Sequence, residues 1–165
     1  MAEPVDTPIG TVTAEHFRPG HVRHEVVVGP KFLYALFNPQ DQMHAVSRVF
    51  MAFVRDGDLP YRRLIVNDHI VDEAATRLKK QASMRNAASL LTTLDESTLY
   101  QFESVSEDVF DDAKATFVEW TDLDASLTDF TVAAHMEALE VDHILTYDRH
   151  YDAFDVTTLP YRNQD

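Results

Sequence analysis

His24-Glu25-Val26-Val27-Val28-Gly29-Pro30-Lys31 is the stretch on which the fold turns. Three consecutive valines make a short β-branched run of the kind that builds a buried strand. Gly29-Pro30 ends the run. Pro30 suits the first turn of a helix, where its missing N–H would have had no intrahelical partner. Phe32, Leu33, Leu36 and Phe37 then give one apolar helical face as far as Asn38-Pro39. A strand that passes straight into a helix is the first half of a β–α–β unit.

Outward from this unit the pattern repeats. Met43, Val46, Val49, Phe50 and Phe53 predict a helix from about Asp41 to Arg55, closed by Asp56-Gly57-Asp58. Arg62 to Val66 reads as a second strand. Asn67 or Asp68 can cap the next helix, which carries Ile70, Val71, Ala74 and Leu78 and ends on the cations Lys79 and Lys80. A further helix covers about Arg85 to Leu94, and Leu99 to Val105 holds a short strand. Ser106 then caps a helix running to Trp120. Ser126 to Glu140 is a helix expected to bury Leu127, Phe130, Ala133, Ala134 and Leu139. His143 to Tyr147 is a strand, and Phe154 to Leu159 a last one. Strands alternating with helices predict an α/β fold, three layers (α/β/α) with a central, mainly parallel sheet.

Residues 1–22 break the pattern. Pro4, Pro8, Gly10, Pro19 and Gly20 interrupt a segment with little apolar periodicity, which predicts an extended arm or loose tail ahead of a single domain over 23–165. Met1-Ala2-Glu3-Pro4 is acidic and polar and does not suit a signal peptide. The 165-residue length suits one domain with a sizeable core, and the expectation is a cytoplasmic protein.

Charge and composition exclude whole classes. There are 28 Asp+Glu against 14 Lys+Arg, a net charge of −14, and no cysteine. Disulfides, thiolate zinc sites and cysteine nucleophiles are excluded. So is a domain that grips nucleic acid with its whole surface, since such domains are basic. Only Lys31, Lys79, Lys80 and Lys114 are lysines, and Asp outnumbers Glu. A surface rich in Asp and poor in Lys suits concentrated salt, where self-repulsion is screened, so the charge pattern points to a halophilic source. With four glycines in all, a Gly-rich phosphate loop is ruled out.

In open parallel sheets, ligands bind at the carboxyl ends of the strands. Three carboxylates belong there. Glu73 is on the helix after the second strand, Asp129 is in the first turn of the helix starting near Ser126, and Asp148 directly follows His143 to Tyr147. Acids that converge from separate elements repel one another unless a divalent cation neutralises them. Each also has a structural reading. Glu73 suits a solvated helix face, Asp129 completes a Ser-x-x-Asp helix start with Ser126, and Asp148 can shape a turn with Asp152. Arg62, Arg63, Arg77, Lys79, Lys80 and Arg85 can supply phosphate contacts or simply solvated ends. His44 and His150 lie near the inferred cleft. His21-x-x-His24 is a lone pair without further ligands. Trp120 and Tyr100 read as packing or interface residues.

The chain resembles the PIN-domain family, and within it the small VapC-like ribonuclease toxins. The likeness spans roughly Val26 to Leu159. It is carried by Leu33-Tyr34-Ala35-Leu36-Phe37-Asn38-Pro39-Gln40-Asp41-Gln42-Met43-His44, by Val71-Asp72-Glu73-Ala74, and above all by Ser126-Leu127-Thr128-Asp129 and Ile144-Leu145-Thr146-Tyr147-Asp148-Arg149-His150-Tyr151. The resemblance implies an α/β fold with clustered acids that hold Mg²⁺ or Mn²⁺ and cleave RNA. It also implies a homodimer and inhibition by a cognate antitoxin. Glu73, Asp129 and Asp148 fall at three of the family's acidic positions and would be its metal ligands and catalytic residues.

The family's first acid departs. It follows the first strand in an Asp-x-Ser/Thr pattern, and here that place reads Gly29-Pro30-Lys31. The carboxylate is absent, and an ammonium stands where the hydroxyl belongs. If Lys31 points into the cleft, it can pair with Asp129 or Asp148 where a cation would sit. Three readings follow: a ribonuclease weakened by this loss, a catalytically silent PIN domain that binds RNA or protein, and an unrelated α/β domain with acids serving only solubility. In the first, Asp41, Asp68 or Asp72 is available to replace the missing ligand.

Overall fold

A computed structural model describes residues 2–18 and 20–160. Met1, Pro19 and residues 161–165, which belong to the expected arm and domain, lie outside the described residues.

The N-terminal segment forms a hairpin of β1 (Val5–Thr7) and β2 (Gly10–Val12), then a 3₁₀ turn at Ala14–Phe17. The alternating pattern of the domain follows: β3 (Glu25–Val28), α1 (Pro30–Phe37), α2 (His44–Arg55), β4 (Arg63–Asn67), α3 (Asp68–Gln81), α4 (Met84–Glu96), β5 (Tyr100–Glu103), α5 (Glu107–Glu119), α6 (Leu127–Leu139), β6 (His143–Leu145) and β7 (Thr157–Leu159). Strands β3 to β7 form one sheet in the order β5-β4-β3-β6-β7, and every pairing in it is parallel. Helices flank it, as expected of a three-layer α/β/α fold. None of the helices described is long and apolar enough to cross a membrane.

The valine run lies at the centre. Val26, Val27 and Val28 are buried, with Val26 opposite Leu64 and Val27 opposite both Ile65 and Ile144. A strand with neighbours on both edges and helices on both faces has no polar side to show, so its sequence is continuous rather than alternating. Gly29 extends the ladder by donating its N–H to the Leu145 carbonyl at 2.8 Å. It then serves as the cap of α1, with Pro30 at the first helical position.

Side chains set most helix starts. Asn67, Ser83, Ser106 and Ser126 each accept a backbone N–H two or three residues inside their helix. Asn67 does more. Its Oδ1 accepts from Ile70 N at 2.8 Å, while its Nδ2 lies 3.0 Å from His135 Nδ1 on α6.

Several expectations shift. The helix predicted from Asp41 starts at His44, because the Asp41 carboxylate accepts from Met43 N and holds the chain in a turn. The strand read as His143 to Tyr147 ends at Leu145, where Thr146 Oγ1 accepts from Asp148 N at 2.9 Å. The last strand is shortened to Thr157–Leu159. On α6 the buried set is Phe130, Thr131, Val132, His135 and Met136 together with Asp129, not the stripe from Leu127 to Leu139. This helix is covered on two sides: Val132 and Met136 enter the main core, while Phe130 packs with Ala113 and Ala125 in a smaller one. The segment expected to be an extended arm or loose tail folds back onto the domain. Phe17 is fully buried against Phe50 (ring centroids 5.0 Å apart), and its carbonyl accepts from the Tyr61 hydroxyl at 2.9 Å. One well-placed aromatic anchors a segment that has no periodicity to advertise it.

Candidate active site

The carboxyl ends of β3, β4 and β6 lie together, and the chain leaves each of them into a helix or turn carrying a polar side chain. These side chains line a cleft of about 300 Å³ with Pro30, Lys31, Glu73, Ser126, Asp129, Thr146, Asp148, His150 and Tyr151 among its walls.

Asp129 is placed by its helix start. Ser126 Oγ accepts from Asp129 N at 3.2 Å, and Asp129 Oδ2 accepts from Ser126 N at 3.0 Å, a reciprocal capping box. The structural reading of Asp129 is therefore correct, and the same carboxylate also faces the cleft. Asp148 is placed by the turn after β6, where its Oδ1 accepts from His150 N at 3.0 Å. Both aspartates are buried.

Two cationic or potentially cationic groups meet them. Lys31 Nζ lies 3.2 Å from Asp148 Oδ2. His150 Nδ1 lies 2.9 Å from Asp148 Oδ1 and 3.7 Å from Asp129 Oδ2. That ring nitrogen is buried yet makes no aligned hydrogen bond. Asp129, Asp148 and His150 offer ligand atoms all within 4.8 Å of one another. By donor chemistry, two carboxylates and an imidazole at this spacing fit a divalent cation, with Lys31 as the competitor for Asp148.

Glu73 lines the same cleft but stands outside that tight group. Glu73 is exposed on α3 at the edge of the cleft. Desolvation, then the charge of Asp129, raises its pKa above the ordinary carboxylate value, and Arg77 and Lys31 oppose the shift. Tyr151 closes the cleft floor. It is 1% exposed, and its hydroxyl has no aligned hydrogen-bond partner. Burial and then the Asp129 charge push its phenol well above its usual range, so it stays protonated.

Position 29 is closed to any side chain. A Cβ on Gly29 would stand 2.8 Å from the Leu145 carbonyl oxygen, the atom its own N–H already binds. Backbone, not a movable side chain, occupies the space where a carboxylate would have to begin.

The remaining candidates are not drawn in. Arg62 and Arg63 are at the start of β4, the opposite end of the sheet, and Arg63 pairs with Glu25 at 2.9 Å. Arg77 lies over the Tyr34 ring, 4.5 Å from its centroid. Lys79, Lys80 and Arg85 are exposed and do not line the cleft. Asp41 accepts from Met43 N and Asp68 Oδ1 from Val105 N at 3.1 Å, and neither lines the cleft. Asp72, likewise, does not line the cleft. His44 Nδ1 is tied to the Ala35 carbonyl at 2.8 Å, and His24 Nδ1 to the Pro60 carbonyl at 3.0 Å. Trp120 stacks on Phe154, and the Tyr100 hydroxyl meets Met51 Sδ at 3.7 Å. Sequence reasoning placed His150 near the cleft without giving it a part in the site, and named Tyr151 only within the resemblance. The signal was there: His150 stands two residues after Asp148, and its side chain returns to that acid on the turn at Arg149–Ala153.

No family model matches the chain, and no curated protein matches it. Solved structures do. The chain is similar to VapC20 of Mycobacterium tuberculosis, described as a sarcin-ricin loop cleaving toxin, at 22% identity and a TM-score of 0.69, over 79% of this chain and 98% of that one. It is also similar to FitAcB from Neisseria gonorrhoeae at 14% identity and a TM-score of 0.55, over 82% of this chain and 97% of that one.

Proposed function

We infer that this parallel-sheet fold, similar to that of VapC20, serves as a PIN-type nuclease scaffold. We propose that the chain is a PIN-type endoribonuclease with activity weakened at the first acidic position. The observation that carries this reading is the meeting of Asp129 and Asp148 within one small cleft at the carboxyl end of the sheet, with Glu73 beside them. Buried carboxylates from separate elements repel each other, and a nuclease site has use for that field.

When bound there, a divalent ion such as Mg²⁺ or Mn²⁺ polarises a scissile phosphate and makes an attacking water more acidic. Asp129 and Asp148 would hold the ion. Glu73, with its raised pKa, is suited to orient water and take up a proton. Tyr151 stays a hydrogen-bond donor toward the carboxylates or a phosphate oxygen. Lys31 opposes loading through its contact with Asp148, and Gly29 contributes no ligand.

RNA is the substrate class that suits this chemistry on this fold. An antitoxin-type protein and a second copy of the chain are the partners the resemblance suggests. One observation favours a second reading, a silent domain that binds RNA or protein. The Lys31 ammonium already neutralises Asp148 at 3.2 Å.

The deciding experiment is a cleavage assay on a panel of single-stranded and hairpin RNAs with Mg²⁺ and with Mn²⁺. Turnover abolished by Asp129→Asn supports the nuclease. Absence of turnover in the native chain and in Lys31→Met supports the silent domain.

A further inference from the structure

His150 occupies an unusual position for a surface histidine. Its Nδ1 is buried and faces two carboxylate oxygens, at 2.9 Å and 3.7 Å, without an aligned hydrogen bond to either. Ligands about 2.1 Å from an octahedral ion stand about 3.0 Å apart side by side and about 4.2 Å apart across it. The 2.9 Å separation matches two neighbouring donors, and with all three atoms within 4.8 Å of one another, movements of under an ångström bring them around one ion. The three atoms do not have the alignment of donors and acceptors bonded to each other.

A second observation points to the same place. Tyr151 is 1% exposed, lines this cleft, and its hydroxyl makes no aligned hydrogen bond. The phenol faces the Asp129 charge without an aligned bond to it, and a water held at the centre of the cleft would give its hydroxyl an acceptor. Gly29, meanwhile, leaves the other wall without a ligand, because the Leu145 carbonyl fills the space where a side chain would start.

We propose that His150 Nδ1 is a direct ligand of a divalent ion together with Asp129 and Asp148. The imidazole stands in for the carboxylate absent at position 29 and turns an all-oxygen site into a mixed nitrogen–oxygen one. Such a set prefers Zn²⁺ or Mn²⁺ to Mg²⁺, because imidazole binds first-row transition ions well and Mg²⁺ demands oxygen. Lys31 sits on Asp148 Oδ2, so its ammonium opposes the ion through charge rather than by occupying the Oδ1 that faces His150. This inference rests on the proposal that the cleft takes a divalent ion, and it adds which ion and which ligand.

Mn²⁺ binding to the full chain, followed by electron paramagnetic resonance, tests it. One Mn²⁺ binds per chain, Zn²⁺ displaces it, and a large excess of Mg²⁺ does not. Electron spin echo modulation shows one imidazole ¹⁴N coupled to the manganese. In His150→Gln that coupling disappears and affinity falls about tenfold or more. In Lys31→Met affinity rises. Equal displacement by Mg²⁺, a nitrogen coupling that survives in His150→Gln, or no Mn²⁺ bound by either the native chain or Lys31→Met overturns the proposal. Bound Mn²⁺ with the nitrogen coupling but without RNA cleavage would leave the metal site standing and remove the nuclease reading alone.

Discussion

Lys31 and Asp148 join the first turn of α1 to the exit of β6 through a 3.2 Å ion pair. The lysine is 47% exposed and the aspartate 10%, so the pair lies at the mouth of the cleft with its acid inside and its base outside. Removing the ammonium leaves the buried Asp148 charge unpaired beside Asp129, so Lys31→Met should lower the melting temperature by a few degrees in the absence of metal while freeing Asp148. RNA cleavage in Mn²⁺ should rise about tenfold over the native chain. Unchanged cleavage with unchanged stability would show that the ammonium does not restrain the site.

Restoring the carboxylate should fail. In Gly29→Asp the new Cβ meets the Leu145 carbonyl at 2.8 Å, and the β3–β6 ladder must shift to admit it. The expected cost is about 1–3 kcal/mol, as for other overpacked interiors. Urea denaturation measures it, and cleavage by the variant should not exceed that of the native chain.

Asp129 has two duties that can be separated. Asparagine still accepts from Ser126 N, so Asp129→Asn should keep the helix cap and unfold within about 0.5 kcal/mol of the native chain. Alanine loses the cap as well, at about 1 kcal/mol. Any metal-dependent cleavage should fall in both variants by about two orders of magnitude or more. Parallel urea melts and RNA assays distinguish a site residue from a cap.

The Asn67–His135 contact predicts how stability responds to acid. Asn67 Oδ1 is committed to Ile70 N, so its Nδ2 donates to His135 Nδ1, which must then be unprotonated. Burial lowers the His135 pKa from its usual 6.5, against the opposing charges of Glu103 and Asp68. The unfolded chain takes up the proton first. The contribution is full above pH 6.5 and is lost as the pH falls below that value toward the folded pKa. Urea midpoints between pH 8 and pH 5 should fall more steeply in the native chain than in His135→Gln.

The net charge of −14 predicts a response to salt. Self-repulsion among surface aspartates is screened as the Debye length falls to about 3 Å near 1 M. Thermal unfolding should therefore move upward by several degrees between 0.1 M and 2 M KCl. A flat response would remove the halophilic reading of the composition.

The sheet was legible because its three central strands are buried on both faces and spell themselves out as Val26-Val27-Val28, Leu64-Ile65-Val66 and Ile144-Leu145. Helix caps were legible because Asn67, Ser106 and Ser126 are short acceptors at the start of apolar periodicity. Two things were not. Phe17 docks a segment with no period of its own, and a single side chain gives a pattern search nothing to count. His150 and Tyr151 enter the cleft through a 3₁₀ turn, where side-chain direction depends on local backbone geometry that spacing does not encode. Asp129 and Asp148 could be placed from sequence because a strand end and a helix cap fix where they point. Glu73 could be assigned to the cleft but not its distance from the others, since a long side chain on a helix can reach in or stay out.

Asn67 gives these observations a shared dependency. Its two ends are chemically opposite, an acceptor spent on the start of α3 and a donor spent on α6. Glu73 rides on the first of these helices and Asp129 on the second. One primary amide thus ties together the two helices that carry these acids, and neither end can be exchanged for the other. Aspartate, an equally good cap, would turn the donor end into a charged acceptor facing the His135 lone pair, so the contact would require the opposite imidazole tautomer and a carboxylate charge in the interior. The polarity of position 67, more than its shape, is what keeps the two sides of the cleft in register.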